Sequence, residues 1–192
     1  MKKLVYIDAC VRGEESRTRR IAEPIIERLA QRYDITTFRL PEMRLEAVTP
    51  DFLAARNAGE VPGWALDAAR AIAAADRLVI AAPFWDMSFP SALKVFFEHT
   101  SLFNVTFADN GAECFGLCRC TKVLYITTRG MNISTGDPNE QATPYIKALS
   151  ALWGLGELIC VSAQNMDYST PEQIESKIAA AISEGLAIAE EL

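Results

Sequence analysis

The 192-residue sequence lacks the marks of several large protein classes. It has no apolar run near the roughly 18 residues that a membrane-spanning helix needs. The apolar run within Met1–Asp8 is too short for a secretory signal and ends in an acid. Basic residues number 19 against 25 acidic ones, for a net charge of −6, which argues against nucleic acid or an anionic membrane as the main partner. We therefore expect a cytoplasmic protein with neither partner.

The sequence has a single histidine, and its cysteines do not indicate a set of disulfide bonds. The five cysteines are odd in number, which favours a reducing compartment over a set of disulfides. Three of them are close together, at Cys114, Cys118 and Cys120. Their spacing matches no familiar ligand pattern, so we interpret them as small apolar residues and predict no metal site. The alternative is a zinc or iron–sulfur site completed by Cys10, Cys160 or His99. For His99, the only histidine, we favour a packing or surface position over a catalytic role.

The sequence also lacks a glycine-rich nucleotide fingerprint. A dinucleotide-binding fold would place that fingerprint straight after its first strand, but the loop over residues 8–16 is DACVRGEES. The only Gly-x-Gly, at Gly154–Gly156, lies between a predicted helix and a predicted strand. There is no Walker loop either, so the two common nucleotide folds are not indicated.

Five apolar runs alternate with helical patterns along the chain. The runs are residues 4–7, 35–40, 78–82, 123–127 and 158–161. This alternation predicts one α/β domain over residues 1–192, with a flavodoxin-like, doubly wound, five-stranded parallel sheet in the order 2-1-3-4-5 and helices on both faces. A short hairpin is expected over residues 105–111. Residues 41–63, with three prolines and two glycines, are predicted to form an irregular surface segment.

The central stretch, Leu78–Lys94, is the most informative part of the sequence. Pro83 ends its strand because proline has no backbone N–H, and Ser88 and Pro90 are typical of a helix start. Between them, residues 83–87 form an aromatic loop at the carboxyl end of a central strand, where open α/β sheets bind ligands. A hydrophobic loop packed under a helix, or a dimer contact, is the alternative interpretation.

Two further loops would meet this one at the same edge of the sheet. Ser16-Arg17-Thr18 begins a helix, and hydroxyls at a helix N-terminus form an anion site to which Arg12 or Arg17 would add charge-assisted bonds. Thr127–Gly130 follows the fourth strand, and Gly130 lets backbone approach a ligand closely. A plain N-cap and a simple turn are the alternatives. The expected convergence of three loops makes a binding site the stronger interpretation.

Taken in order, these segments resemble the FMN-dependent NADH:quinone oxidoreductases known as azoreductases. The segments that carry the resemblance are Ala81–Met87, Leu93–Glu98, Val105–Phe107 and Ile126–Gly130. It runs from Leu4 to about Val161, at closely matching spacing. Where the family commonly has Pro-Met-Tyr-Asn-Phe and Ser-Arg-Gly-Gly, this sequence has Pro83–Met87 and Thr128–Met131, and a further family serine falls at Cys10.

The resemblance implies a non-covalently bound FMN. Its phosphate would be bound by Cys10, Ser16, Arg17 and Thr18. Its isoalloxazine would lie along Pro83, Phe84, Trp85, Asp86 and Met87, with Thr128, Arg129 and Gly130 capping the pyrimidine side. The resemblance also implies a homodimer with active sites at the interface, NADH or NADPH as donor, and a quinone or azo compound that takes two electrons in a ping-pong sequence. No catalytic side chain is implied, because the flavin does the chemistry.

One departure and one pattern bear on these expectations. Asp86 places an acid where the family has an amide, which would disfavour a reduced anionic flavin if its side chain faced the ring. The helix predicted over residues 91–103 carries Phe96, Phe97 and Phe103, more aromatic residues than one buried face needs, which favours a dimer.

Two alternative functions stay open at this point. One is a flavin-binding electron carrier or redox sensor without substrate turnover. The other is a flavodoxin-like binding module that has lost FMN, against which the hydroxyl-bearing phosphate loop argues.

Overall fold

The structure, a computed structural model, describes all 192 residues. Its strands are β1 Lys2–Asp8, β2 Tyr33–Arg39, β3 Arg77–Ala81, β4 Phe107–Asp109, β5 Cys114–Gly116, β6 Lys122–Thr128 and β7 Glu157–Ala163. Its helices are α1 Arg17–Ala30, α2 Pro50–Asn57, α3 Gly63–Ala74, α4 Ser91–Thr100, α5 Ala142–Trp153 and α6 Pro171–Glu191. Short 3-10 helices cover Gly13–Glu15 and Leu40–Glu42. None of the helices has both the length and the apolar composition needed to span a membrane.

The main sheet has five strands, all parallel, in the order β2-β1-β3-β6-β7. The predicted order 2-1-3-4-5 is confirmed when the two hairpin strands are left out of the count. Strands β4 and β5 pair antiparallel in that separate hairpin, a few residues beyond the predicted position. The carboxyl ends of β1, β3 and β6 therefore lie side by side in the middle of the sheet.

Alternate residues of the strands supply two separate buried clusters. In β1, for example, Val5 belongs to one cluster and Leu4 to the other. The first cluster is completed by residues of α3, α4 and α5, and the second by residues of α1 and α6. A strand buried on both sides needs an unbroken apolar run, which is why these strands were visible in the sequence.

The prediction of an irregular segment over residues 41–63 is wrong in its middle, where α2 forms. Thr49 caps this helix, since its hydroxyl accepts a hydrogen bond from the Phe52 N–H at 3.2 Å, and Pro50 occupies the first helical position. Its apolar residues are not gathered on one face and none of its residues is buried, so no periodic signal marks it.

The aromatic residues of α4 correct the sequence argument for a dimer. Phe96 and Phe97 are buried in the chain's own core, where they pack beside Trp64 and Trp153 respectively. The helix ends at Thr100, so Phe103 lies beyond it and is 52% exposed. The two helical phenylalanines are therefore unavailable to a second subunit.

Candidate functional site

Backbone hydrogen bonds hold four loops together at the carboxyl edge of the sheet. The Ala9 N–H donates to the Ala81 carbonyl at 2.8 Å, that of Phe84 to Thr128 at 3.0 Å, and that of Met166 to Arg129 at 3.1 Å. These bonds join the loops after β1, β3, β6 and β7 around an open cleft of about 620 Å³, counting the space open to solvent. The cleft is lined by Arg12, Ser16, Arg17, Pro83, Phe84, Trp85, Thr128, Gly130, Met166 and Asp167.

One end of the cleft is suited to an anion. Ser16 is the N-cap of α1, and its hydroxyl accepts a hydrogen bond from the Arg19 N–H at 3.3 Å. The N–H groups of Arg17 and Thr18, in the first helical turn, have no acceptor within the helix. Arg12 and Arg17 also line the cleft, and each guanidinium contacts a carboxylate, Glu15 for Arg12 at 3.4 Å and Asp167 for Arg17 at 2.9 Å. Free N–H groups, a helix N-terminus and two cations together favour a phosphate or carboxylate.

Thr18, which the resemblance assigns to the phosphate, is fully buried and does not line the cleft with its side chain. Its hydroxyl oxygen lies 2.7 Å from the hydroxyl oxygen of Thr128, which does line the cleft. The side chain of Thr18 thus links the start of α1 to the end of β6, and only its backbone N–H remains available to a ligand.

Cys10 is likewise not brought to the cleft. It is 1% exposed, its thiol donates to the Ala81 carbonyl at a sulfur–oxygen distance of 3.7 Å, and its N–H donates to Asp8 Oδ1 at 2.9 Å. Burial, and secondly the charge of Asp8, raise the pKa of the Cys10 thiol far above its usual value. The residue is a neutral part of the core beneath the loop.

The loop after β3 supplies an apolar wall through Pro83, Phe84 and Trp85. Phe84 is buried, whereas Trp85 is 42% exposed. The next two residues form a tight turn closed by paired bonds between Trp85 and Ser88, at 3.1 and 2.8 Å. Asp86 and Met87 occupy the centre of that turn with φ values of 47° and 63°, and neither lines the cleft. The structure therefore does not bring the Asp86 carboxylate into the cleft.

The loop after β6 places Thr128 and Gly130 in the cleft, but not Arg129. A Cβ at Gly130 would overlap the carboxylate of Asp167, so a larger residue here would require that exposed side chain to shift. Arg129 is fully buried, and its guanidinium donates to the Ile133 carbonyl at 3.0 Å and to Thr135 Oγ1 at 2.9 Å. The residue supports the site from below and cannot cap a ligand in the cleft.

Met166 and Asp167 were missed by the sequence analysis. They follow β7, an edge strand, whereas only the loops after β1, β3 and β6 were considered. A signal was available, because this loop lies at the carboxyl end of a parallel strand, next to the predicted fourth strand, which is β6. In the structure Asp167 Oδ1 lies 2.9 Å from Arg17 Nη1, across the cleft.

The cysteines and the histidine form no second site. The structure contains no group of three or more His, Cys, Asp or Glu side chains that could hold a metal ion. His99 is buried, with its Nε2 2.8 Å from the Glu46 carbonyl oxygen and its ring edge-on to Phe52. Burial raises the pKa of Cys118 to about 12 and that of Cys120 to about 11, which keeps both thiols neutral. His99, Cys118 and Cys120 are therefore packing residues.

Comparison with known proteins gives three kinds of match. A family model described as "Flavodoxin-like fold" matches residues 2–187. Two similar relatives are each named FMN-dependent NADH:quinone oxidoreductase. The one from Clostridium perfringens is 28% identical over 196 residues, covering 95% of this chain and 98% of the relative. The one from Stenotrophomonas maltophilia is 28% identical over 190 residues, covering 94% and 93%.

Solved structures match along the whole chain as well. An azoreductase from Bacillus anthracis has a TM-score of 0.84 at 18% identity, covering 100% of both chains. An FMN-dependent NADH-azoreductase from the same species, solved in complex with FMN, has a TM-score of 0.82 at 18% identity, covering 100% of this chain and 99% of that one. At this identity the structural matches show a shared fold. Together with the family model and the relatives, they confirm the resemblance drawn from the sequence motifs.

Proposed function

The chain belongs to the family with the flavodoxin-like fold, and from that premise we propose that it is an FMN-dependent NADH:quinone oxidoreductase of the azoreductase type. The names of its relatives support this activity. One observation of the structure carries the proposal. A single cleft, at the carboxyl edge of the sheet, joins an anion-binding helix start to an aromatic wall.

The residues present fit FMN on two counts. The phosphate end offers the Ser16 hydroxyl, the first-turn N–H groups of α1, and the side chains of Arg12 and Arg17. The ring end offers Phe84 and Trp85 as an apolar wall, which suits a flat aromatic system.

The chain's own groups would orient the cofactor and adjust its surroundings. Gly130 lines the cleft, and its N–H has no acceptor within the protein, so it is free to donate to a carbonyl on the pyrimidine side. Phe84, which lines the cleft and is nearly fully buried, gives it an apolar surface. FMN, when bound, would supply two-electron redox chemistry between NADH or NADPH and a quinone or azo compound, in the proposed ping-pong sequence.

Three finer features belong to the same proposal. We infer a doubly wound sheet, because alternate strand residues feed two clusters that different helices complete. Residues 1–192 form one FMN-binding domain, since the four cleft loops come from both ends of the chain. The protein is a homodimer, a proposal supported by exposed apolar residues beside the cleft, just before the hairpin and on it, namely Trp85, Met87, Phe103 and Phe115.

Purification and steady-state kinetics test the function. The purified chain should be yellow, with an absorption band at about 450 nm. It should oxidise NADH faster when a quinone is added. A yellow protein whose NADH oxidation does not respond to quinones or azo compounds would instead support an electron carrier or redox sensor. A protein that stays colourless after incubation with FMN would support a binding module and overturn the proposal.

Light scattering at catalytic concentrations tests the assembly separately. The expected particle has twice the chain mass of 21.2 kDa. A fully active particle at the single-chain mass would refute a shared active site while leaving the proposed reaction intact.

A further inference from the structure

An ion pair crosses the mouth of the cleft. Arg17 Nη1, at the start of α1, lies 2.9 Å from Asp167 Oδ1, in the loop after β7. Both residues line the cleft, so the pair lies within the candidate site rather than beside it. Asp167 is the only acidic residue among the ten that line the cleft.

The backbone of Asp167 is held in place by its surroundings. The Asp167 N–H donates to the Gly130 carbonyl at 3.0 Å, and the missing Cβ of Gly130 leaves the space that the carboxylate fills. Lys177 fixes the preceding turn by donating to the Gln164 carbonyl at 2.9 Å and to Ser169 Oγ at 2.7 Å. The backbone position of the acid is therefore set by the fold, whereas its side chain is 66% exposed.

An acid at this position works against an anionic ligand. A phosphate monoester carries a charge of about −1.5 to −2 at pH 7 and is best bound by unpaired cations. Arg17 already has a carboxylate partner, and Asp167 adds a like charge close to the phosphate end. The phosphate must therefore share or replace the existing partner of Arg17.

Resting on the proposed binding of FMN, we propose that Asp167 competes with the cofactor's phosphate for Arg17 and so lowers the selectivity of the cleft for FMN over riboflavin. Riboflavin has the same ring and ribityl chain without the phosphate, so it does not enter that competition. The competition sets the affinity for the phosphate and leaves the ring contacts of Phe84 and Trp85 unchanged.

The chain offers a matched control on the same helix. Arg20 donates two hydrogen bonds to Glu175, at 3.1 and 2.6 Å, and both side chains are about as exposed as those of the cleft pair. Neither residue lines the cleft. Glu175→Gln is therefore the control for Asp167→Asn. Each substitution removes one negative charge and breaks one ion pair between α1 and the C-terminal part of the chain.

Flavin titrations of the full-length, flavin-free chain test the proposal through fluorescence quenching. Asp167→Asn should lower the Kd for FMN roughly three- to tenfold at low salt. This difference in Kd should become smaller at about 0.5 M salt, because salt screens the charges. The Kd for riboflavin should not change. Glu175→Gln should leave both values at those of the unsubstituted chain.

A second background separates competition from simple repulsion. In an Arg17→Gln chain, FMN should bind more weakly. Adding Asp167→Asn to that chain should then lower the Kd for FMN by a smaller factor than it does in the chain that keeps Arg17. A gain of equal or larger size would overturn the competition, because Asp167 would act on the phosphate directly. An unchanged or higher Kd for FMN in the Asp167→Asn chain would overturn it as well.

Failure of the proposed function would look different. If the unsubstituted chain binds neither FMN nor riboflavin, the proposed cofactor is wrong. If it binds FMN while Asp167→Asn and Glu175→Gln behave alike, the cofactor stands and the role of Asp167 is wrong.

Discussion

The hydroxyl oxygens of Thr18 and Thr128 lie 2.7 Å apart and join the two ends of the cleft. Thr18 belongs to the first turn of α1, at the phosphate end, and Thr128 ends β6, at the ring end. Thr18 is fully buried and Thr128 is nearly so, so the Thr18 hydroxyl cannot exchange its partner for water without opening the loop. The bond therefore fixes the distance between the two binding ends.

Thr18→Val should weaken both the fold and the binding of FMN. Valine keeps the shape but leaves the Thr128 hydroxyl without its partner, which costs about 1–2 kcal/mol of unfolding free energy. The Kd for FMN should rise several-fold, since α1 is no longer tied to β6. Urea unfolding and flavin titration measure the two effects.

Ser150→Ala is the control for the loss of a buried hydroxyl. Ser150 is 4% exposed, but its hydroxyl has no hydrogen-bond partner in the structure and lies in α5, away from the cleft. This change should leave the Kd for FMN unchanged and should not lower the unfolding free energy, because the hydroxyl that it removes is buried without a partner. Equal effects of the two substitutions would contradict a linking role for Thr18.

The Thr18–Thr128 bond shows what a sequence can reveal about such a site and what it cannot. Apolar runs fix which strands are central, and parallel pairing then brings the following loops to one edge. The direction of each side chain within a loop depends on packing from distant parts of the chain. Thr18, Cys10 and Arg129 lie in the right loops, yet all three point into the protein.

A second limit concerns local geometry without a periodic signal. Asp86 and Met87 turn away from the cleft because both adopt left-handed backbone conformations, for which Asp-Met is not a typical sequence. The Asp167 carboxylate occupies the space that a Cβ at Gly130 would need, a relationship between loops 37 positions apart. Neither arrangement can be inferred from the residues on one loop alone.

The cysteines should differ sharply in reactivity. Cys114 is exposed, whereas Cys10, Cys118 and Cys120 are buried. In the native protein at pH 8, iodoacetamide should label Cys114 first and reach the buried three only on unfolding, as mass spectrometry would show. Fast labelling of Cys120 in the native state would contradict its burial.

The same burial predicts a loss of stability at alkaline pH. The pKa values of Cys118, about 12, and Cys120, about 11, lie above the ordinary 9.0. Above about pH 9 the unfolded chain therefore binds fewer protons than the folded one, and the unfolding free energy falls as the pH rises towards the folded values. Urea unfolding at pH 8 and at about pH 10 measures how steeply the unfolding free energy falls with pH. Cys120→Ser should make this fall smaller.

Met87→Gly should stabilise the turn beside the cleft. Met87 has a φ of 63°, a conformation that costs an L-residue about 1–2 kcal/mol and that glycine adopts freely. The greater freedom of glycine in the unfolded chain offsets part of this, so a net gain of about 0.5–1 kcal/mol is expected in urea unfolding. Met131→Gly is the control, because Met131 is similarly exposed but has no positive φ, and it should lose stability. A loss at both positions would contradict strain at Met87.

Arg129 should be the most sensitive cation in the chain. Its Nη2 lies 4.0 Å from Glu140 Oε1, and both side chains are 0% exposed. Glu140 also accepts a hydrogen bond from the Thr143 N–H at 2.9 Å, while its second oxygen has no partner. Any change that removes the guanidinium therefore leaves a buried carboxylate without its nearest positive charge.

Arg129→Met should cost about 3–5 kcal/mol of unfolding free energy, because breaking a buried pair leaves one charge uncompensated. The matched control is Arg119→Met, since Arg119 pairs with Asp76 at the shorter distance of 2.8 Å but is 64% exposed, and its loss should cost about 0–1 kcal/mol. Adding Glu140→Gln to Arg129→Met should recover part of the stability by removing the stranded charge. If the single variant does not fold, the double variant still decides the matter in urea unfolding. A double variant no more stable than the single one would show that Arg129 acts through its bonds to Ile133 and Thr135, and not through Glu140.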